Sequence, residues 1–263
     1  MIIGKIIAVL KKDVITAVRY RNGFVLSNLV QVGQLATFYY LARAVGPQFR
    51  PEGMPYFLFL LIGTGFYTFL LAGTHSFLKM IQESQQTGTL EVLLTTSTPA
   101  AVLVSLGALS AFGEELLQFG IYIGAGIFLF APVLHISVLA CLLACGFSIL
   151  SAFAIGLFAA GMQISMHKGS AMLWVLGSGT WLVSGTLFPV AALPKPVQMV
   201  SNFIPFTHSL AAMRLAVLDG NFAATTREVG ILAIFALFLL PAGIMFFSWM
   251  VRQARQNGTL SFY

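Results

Sequence analysis

Apolar runs longer than a soluble core demands recur along this chain, and they restrict its fold more than any other feature. They occupy about 24–45, 56–78, 101–131, 133–165, 171–189 and 229–251. A helix rising about 1.5 Å per residue needs roughly 20 residues to cross a hydrocarbon core of about 30 Å. Backbone groups in lipid must also be bonded within a helix or a closed barrel. The runs have helical lengths, so an all-α integral membrane protein with six transmembrane helices is expected. Composition agrees, with 58% hydrophobic and 8% charged residues, against roughly 25% charged in soluble domains. The third and fourth runs exceed one crossing. That predicts tilting, a break near Gly113 or Gly146, or extension beyond the bilayer.

Basic residues near span ends are retained in the cytoplasm. Lys5, Lys11, Lys12, Arg19, Arg21, Lys79, Lys168, Arg252 and Arg255 fall on one side of the six-run layout, and Arg43, Arg50, Lys195, Arg214 and Arg227 on the other. Both termini are therefore expected in the cytoplasm, including a tail over 252–263. The net charge of +6 is read as this bias rather than as nucleic-acid affinity, because no basic stripe with interleaved aromatics is present. Over 1–22, Ile3, Ile6, Ile7, Leu10 and Val14 share one helical face, with most of the lysines elsewhere. This suits an amphipathic helix lying in the interface. A cleaved signal peptide is disfavoured by the short apolar run before Lys11 and the lack of a small-residue cleavage site after it.

Motifs for chemistry are missing: the chain has no G-x-x-x-x-G-K-[ST] loop, no H-E-x-x-H and no G-x-S-x-G. Any ATP used must be bound by another chain. Cys141 and Cys145, four apart, are helix-face neighbours whose spacing strains a disulfide, and no metal-ligand pattern accompanies them. The one sizeable polar interruption is 82–99, QESQQTGTLEVLLTTSTP. Its Glu83, Gly88-Thr89-Leu90-Glu91, Leu93-Leu94 and Pro99 resemble the coupling segment of the ABC-2 family of ABC-transporter membrane subunits. A plain polar loop is the alternative reading. The order Ser184-Gly185-Thr186-Leu187-Phe188-Pro189, Leu193-Pro194, Pro205-Phe206-Thr207-His208, Arg214 and Gly220 also resembles that family. Prolines so placed prevent one continuous helix.

The resemblance implies a six-helix transmembrane domain over 23–251, with a cytoplasmic coupling helix in 82–99 and short external re-entrant helices in 190–222. It implies a permease subunit of an ATP-driven exporter of amphipathic, lipid-linked or drug-like substrates. That permease has no nucleotide site of its own. Two ATPase subunits hold ATP and Mg, and a second permease copy or close relative completes the path. Leu90, Leu93 and Leu94 would then insert into the ATPase as apolar anchors, with Glu83 and Glu91 meeting donors and Gly88 allowing a sharp bend. Phe188, Pro189, Pro205, Thr207, His208 and Arg214 would form the external gate. Gly120-x-x-x-Gly124 permits close approach of a helix, within this chain or from another copy.

Polar residues inside the runs carry further expectations. Asn28, Gln31, Gln34 and Thr37 make a polar strip on the first helix that must face protein or a wet path. Ser184, with Ser178 and Thr180, gives a weaker strip on the fifth. Lining of a translocation path and interhelix hydrogen bonding both fit. Glu114 and Glu115 diverge by about 100° on a helix. One of them could take a cationic group or a proton, as an ion-coupled transporter or channel would require. Alternatively they cap a break at Gly113 or pair with a buried donor. A third class, an intramembrane enzyme, would use His208 with Asp219. His75 and His208 otherwise read as polar tips at interfaces.

Overall fold

The computed structural model describes residues 21–90, 100–130, 136–166, 168–218 and 222–256. All regular structure among them is helical: α1 (Arg21–Val45), a 3-10 turn (Pro51–Gly53), α2 (Tyr56–Gln86), α3 (Ala100–Phe130), α4 (Val138–Met166), α5 (Gly169–Val183), a second 3-10 turn (Val190–Ala192), α6 (Lys195–Ser201), α7 (Pro205–Leu218) and α8 (Phe222–Gln256). Each apolar run coincides with a helix. Among the described residues α2, α4 and α8 are long and apolar enough to cross a membrane, whereas the apolar stretches Glu115–Phe130 and Gly169–Val183 are shorter. The chain is thus a helical membrane protein. The interfacial helix expected over 1–22 falls almost entirely outside the described residues.

Of the three alternatives for the long runs, the break does not occur. α3 passes through Gly113 and α4 through Gly146 without interruption. A lone glycine costs a helix only about 1 kcal/mol, and with no proline beside it the hydrogen-bond ladder holds. Where prolines do fall, the chain fragments as expected: Pro189 precedes the second 3-10 turn, Pro194 precedes α6, and Pro205 opens α7. The exception is Pro241, which lies inside α8. At the end of α2, the Thr89 amide donates to the Ser84 carbonyl at 3.0 Å and the Gly88 amide to Gln85 at 3.0 Å. Gly88 adopts φ +67°, the left-handed conformation that reverses the chain at this helix end.

α2 is the hub. Of its apolar window 78% is buried, against 33% in α4 and 22% in α8. Phe59, Phe66, Phe69 and Leu70 of α2 meet Leu35 of α1, Phe112 and Tyr122 of α3, and Phe206 and Leu210 of α7. Lipid tails are as apolar as leucine, so close packing rather than water exclusion holds such helices together. Small residues let α4 and α8, the most extensive helix pair, come near each other: a Cβ on Gly243 would lie 2.9 Å from the Ala154 carbonyl oxygen.

Successive long helices run in alternating directions between two ends. One end gathers Glu52, the start of α2, the end of α5, α6, α7 and the start of α8. The other gathers Ile81 and Leu90 with Val104, Ile164 and Val251.

Candidate functional site

Arg214 organises the first end. It lies on α7, which packs against α2, α4 and α8, and it is 2% exposed. Its Nη2 donates to the carbonyls of Gly185 at 2.8 Å and of Phe59 and Thr186 at 3.3 Å each. The guanidinium carbon stands 3.4 Å from the centre of the Phe59 ring. Gly63 makes room: a Cβ there would lie 2.5 Å from the Thr186 carbonyl oxygen and would also strike Arg214 Nη2. Gly185 turns its carbonyl inward at φ +82°. Glu52 is a looser partner, with Oε2 at 3.8 Å from Nη1 and its side chain 38% exposed. Burial pulls the guanidinium down to about 10, against the opposing pull of Glu52, so it stays charged at neutral pH.

His208 ties α7 to two other elements. Its Nδ1 lies 2.7 Å from Glu228 Oε2 on α8, and its Nε2 lies 2.9 Å from the Asn202 carbonyl oxygen after α6. A carbonyl only accepts, so Nε2 carries a proton, and the carboxylate asks the same of Nδ1. Burial alone would lower the pKa of His208. The bonds to Glu228 and Asn202 and the charge of Glu228 outweigh it, and the net direction is upward. A raised pKa contributes stability that is fully present below the ordinary value near 6.5 and is lost as pH rises through the folded value above it. The wild type should therefore be more stable than His208→Gln by about 1–2 kcal/mol near pH 5.5. The advantage should shrink by pH 8.5, as thermal unfolding in detergent would read; an advantage that does not vary with pH would disprove the charged pair.

Between these two centres opens a cavity of about 540 Å³. Glu52, Ser184, Asn202, Thr207, His208, Arg214, Arg227 and Glu228 form its polar wall, and Phe203, Ile231, Ile234 and Phe235 its apolar one. Three of the residues expected at an external gate, Thr207, His208 and Arg214, meet here, and Ser184, expected along a path, joins them. Phe188 and Pro189 are half-buried in the preceding connection, where the Leu187 carbonyl accepts from the Tyr56 hydroxyl at 3.2 Å. Glu52, Arg227, Asn202 and Glu228 were not anticipated. Asp219 lies outside the described residues, and the carboxylate that His208 meets is that of Glu228. Among the described residues no cluster of three His, Cys, Asp or Glu side chains could hold a metal ion.

The strip on α1 separates by depth. Gln31 Nε2 donates to Gln118 Oε1 of α3 at 3.2 Å, an interhelix bond. Gln31 and Gln34 border a cavity of about 30 Å³ with Thr64, Glu115, Gln118 and Tyr122, close to the space one water takes in the liquid. Asn28 is half-buried, and Thr37 is exposed with its hydroxyl bonded to the Gly33 carbonyl at 3.1 Å. Glu115 borders that small cavity within an unbroken helix, so a capped break at Gly113 is not its role. The side chain of Glu114 lies outside the described part. Gly120 and Gly124 are exposed, with nothing within 4 Å of an added Cβ.

At the opposite end Glu91, Leu93 and Leu94 lie outside the described residues. Glu83 is exposed, 4.0 Å from Lys79, and Thr89 is exposed. Leu90 departs from expectation: it is 1% exposed and belongs to the buried cluster that holds Phe77, Ile81, Val104, Leu157, Ile164 and Val251. The reversal at Gly88 folds residue 90 back onto the chain's own helices, so it is an internal anchor rather than one offered to a partner. Unforeseen amides fasten this corner. Gln163 donates Nε2 to Gln85 Oε1 at 3.1 Å and accepts the Gly169 amide at 3.1 Å, and Gln82 Nε2 donates to Ser170 Oγ at 2.7 Å.

Set beside known proteins, this membrane protein matches no family model. A stretch of 65 residues, 24% of the chain, is 35% identical to Nodulation protein J of Sinorhizobium fredii (strain NBRC 101917 / NGR234). The match spans a quarter of that protein's length.

Proposed function

We propose that the chain is the membrane-spanning permease subunit of an ATP-driven ABC exporter of the ABC-2 type. In this reading it carries an amphipathic, lipid-linked or drug-like substrate, and a separate cytoplasmic ATPase holds ATP and Mg. The observation that carries the reading is the pairing of alternating long apolar helices with the tied-down corner at Gln82–Leu90. The partial likeness to Nodulation protein J and the lack of a phosphate-binding loop support it. The corner is built to transmit movement: Gln85, Gln163 and Gly169 link the end of α2 to the junction of α4 and α5. Exposed Glu83 and Thr89 stand beside it as contacts for the ATPase, together with Glu91, Leu93 and Leu94. The six helices then cross the cell membrane with both termini in the cytoplasm and the cavity end outside. A second copy docks against the exposed Gly120 and Gly124.

The test is copurification of the full chain with an ATPase, followed by substrate-stimulated ATP hydrolysis in proteoliposomes. Glu83→Lys should lower that stimulation about tenfold while leaving membrane insertion intact. Transport by the chain alone, driven by a proton gradient, would instead favour the ion-coupled reading through Glu114 or Glu115.

A further inference from the structure

We propose that the cavity between α5, α7 and α8 binds the phosphate of an anionic membrane lipid, whose acyl chains lie along the exposed face of α8. The inference needs α8 to lie in a membrane and does not depend on transport. Donors outnumber acceptors on the cavity wall. The two ring nitrogens of His208 already face Glu228 and the Asn202 carbonyl, and Glu52 stays a loose partner of Arg214 at 3.8 Å. Left over among the described residues are the exposed guanidinium of Arg227, which makes no ion pair there, and three buried groups with no hydrogen-bond partner there. Those groups are Nε of Arg214 and the hydroxyls of Ser184 and Thr207, residues 2%, 1% and 8% exposed. Buried polar groups are seldom left so; their residues line the cavity, and small rotations that turn these nearly inaccessible atoms toward it would let an anion rich in acceptors satisfy them. Phosphate oxygens also match guanidinium geometry.

The shape of the cavity selects a lipid over a free ion. About 540 Å³ falls within the usual range of small-molecule sites, roughly 300–1,000 Å³, and is far more than a phosphate fills. The lining also includes Phe203, Ile231, Ile234 and Phe235, of which Phe203 is 78% and Ile234 58% exposed. Leu237 and Phe238, 69% exposed each, continue that surface along α8. A molecule with a charged head and an apolar tail fills both halves, whereas inorganic phosphate would leave one empty. A guanidinium beside an exposed apolar helix face suits a phosphate head and an acyl tail together.

Native mass spectrometry of the full chain in uncharged detergent tests this, with phosphatidylglycerol, phosphatidylcholine and inorganic phosphate as probes. Phosphatidylglycerol should bind at least about tenfold more tightly than phosphatidylcholine, and Arg227→Gln should erase that preference. Thr207→Val, which keeps the side-chain volume, should weaken it in part. Arg252→Gln, at the far end of α8, should leave it unchanged. Equal binding of the two lipids, a preference that survives Arg227→Gln, or an equal loss in Arg252→Gln would overturn the site. Inorganic phosphate binding as tightly as phosphatidylglycerol would make it a free-anion site and overturn the lipid assignment.

Discussion

Arg214→Met should cost about 3–5 kcal/mol of stability, the largest loss expected from any side chain around the cavity. Methionine keeps much of the volume but none of the donors, so the carbonyls of Gly185, Phe59 and Thr186 lose the group that joins α2, the end of α5 and α7. Each bond to a charged donor contributes about 1.5–3 kcal/mol, and the stacking on Phe59 adds to it. Glu52 matters less. At 3.8 Å, with a side chain 38% exposed, it resembles a surface ion pair worth about 0–1 kcal/mol. Glu52→Gln should therefore shift the unfolding midpoint little. Arg214→Lys should recover less than half of the loss, because a single ammonium cannot reproduce the planar fork. Thermal unfolding of the four proteins in the same detergent checks the order. Equal losses for Glu52→Gln and Arg214→Met would show that the ion pair, not the carbonyl cradle, holds this end.

Leu90→Asp carries the second large effect. A coupling anchor on the surface would tolerate the change in the isolated chain and fail only with its ATPase. Leu90 is instead buried in one apolar cluster with Phe77, Val104, Leu157 and Val251, so the carboxyl would sit among hydrocarbon without a partner. The cost is then about 3 kcal/mol or more, and the milder Leu90→Ala should cost about 2–4 kcal/mol. Folded yield and unfolding midpoint of the isolated chain measure both. If Leu90→Asp unfolds at the wild-type midpoint, residue 90 is not part of the internal core.

The helices were legible because each apolar run is long enough to fix its own structure. Proline placement foretold the fragmentation between Pro189 and Pro205, where a ring that offers no amide recurs every few residues, although the lone Pro241 is carried inside α8. At Gly113 and Gly146 the glycine penalty is too small to break the helix, which leaves tilting or extension to account for the two long runs. Contacts between distant segments left no periodic trace. Nothing local connects Glu52 with Arg214 or Glu228 with His208, although a chain with 8 acidic residues offers few partners for a buried cation, and that scarcity is the signal that could have found them. Leu90 was misplaced because amphipathic spacing marks an apolar face without saying what covers it. The reversal at Gly88 made that choice.

Pro241 sits between the two ends of α8, with Glu228 at one and Val251 at the other. Proline offers no amide to the carbonyl one turn earlier, so the rod is softest at this point. A 35-residue helix is about 50 Å long, and a stiff one would carry a twist from the Leu90 corner to the His208 latch undiminished. With a compliant joint partway along, the two halves can bend separately, and how faithfully one mouth of the molecule senses the other is set by that joint.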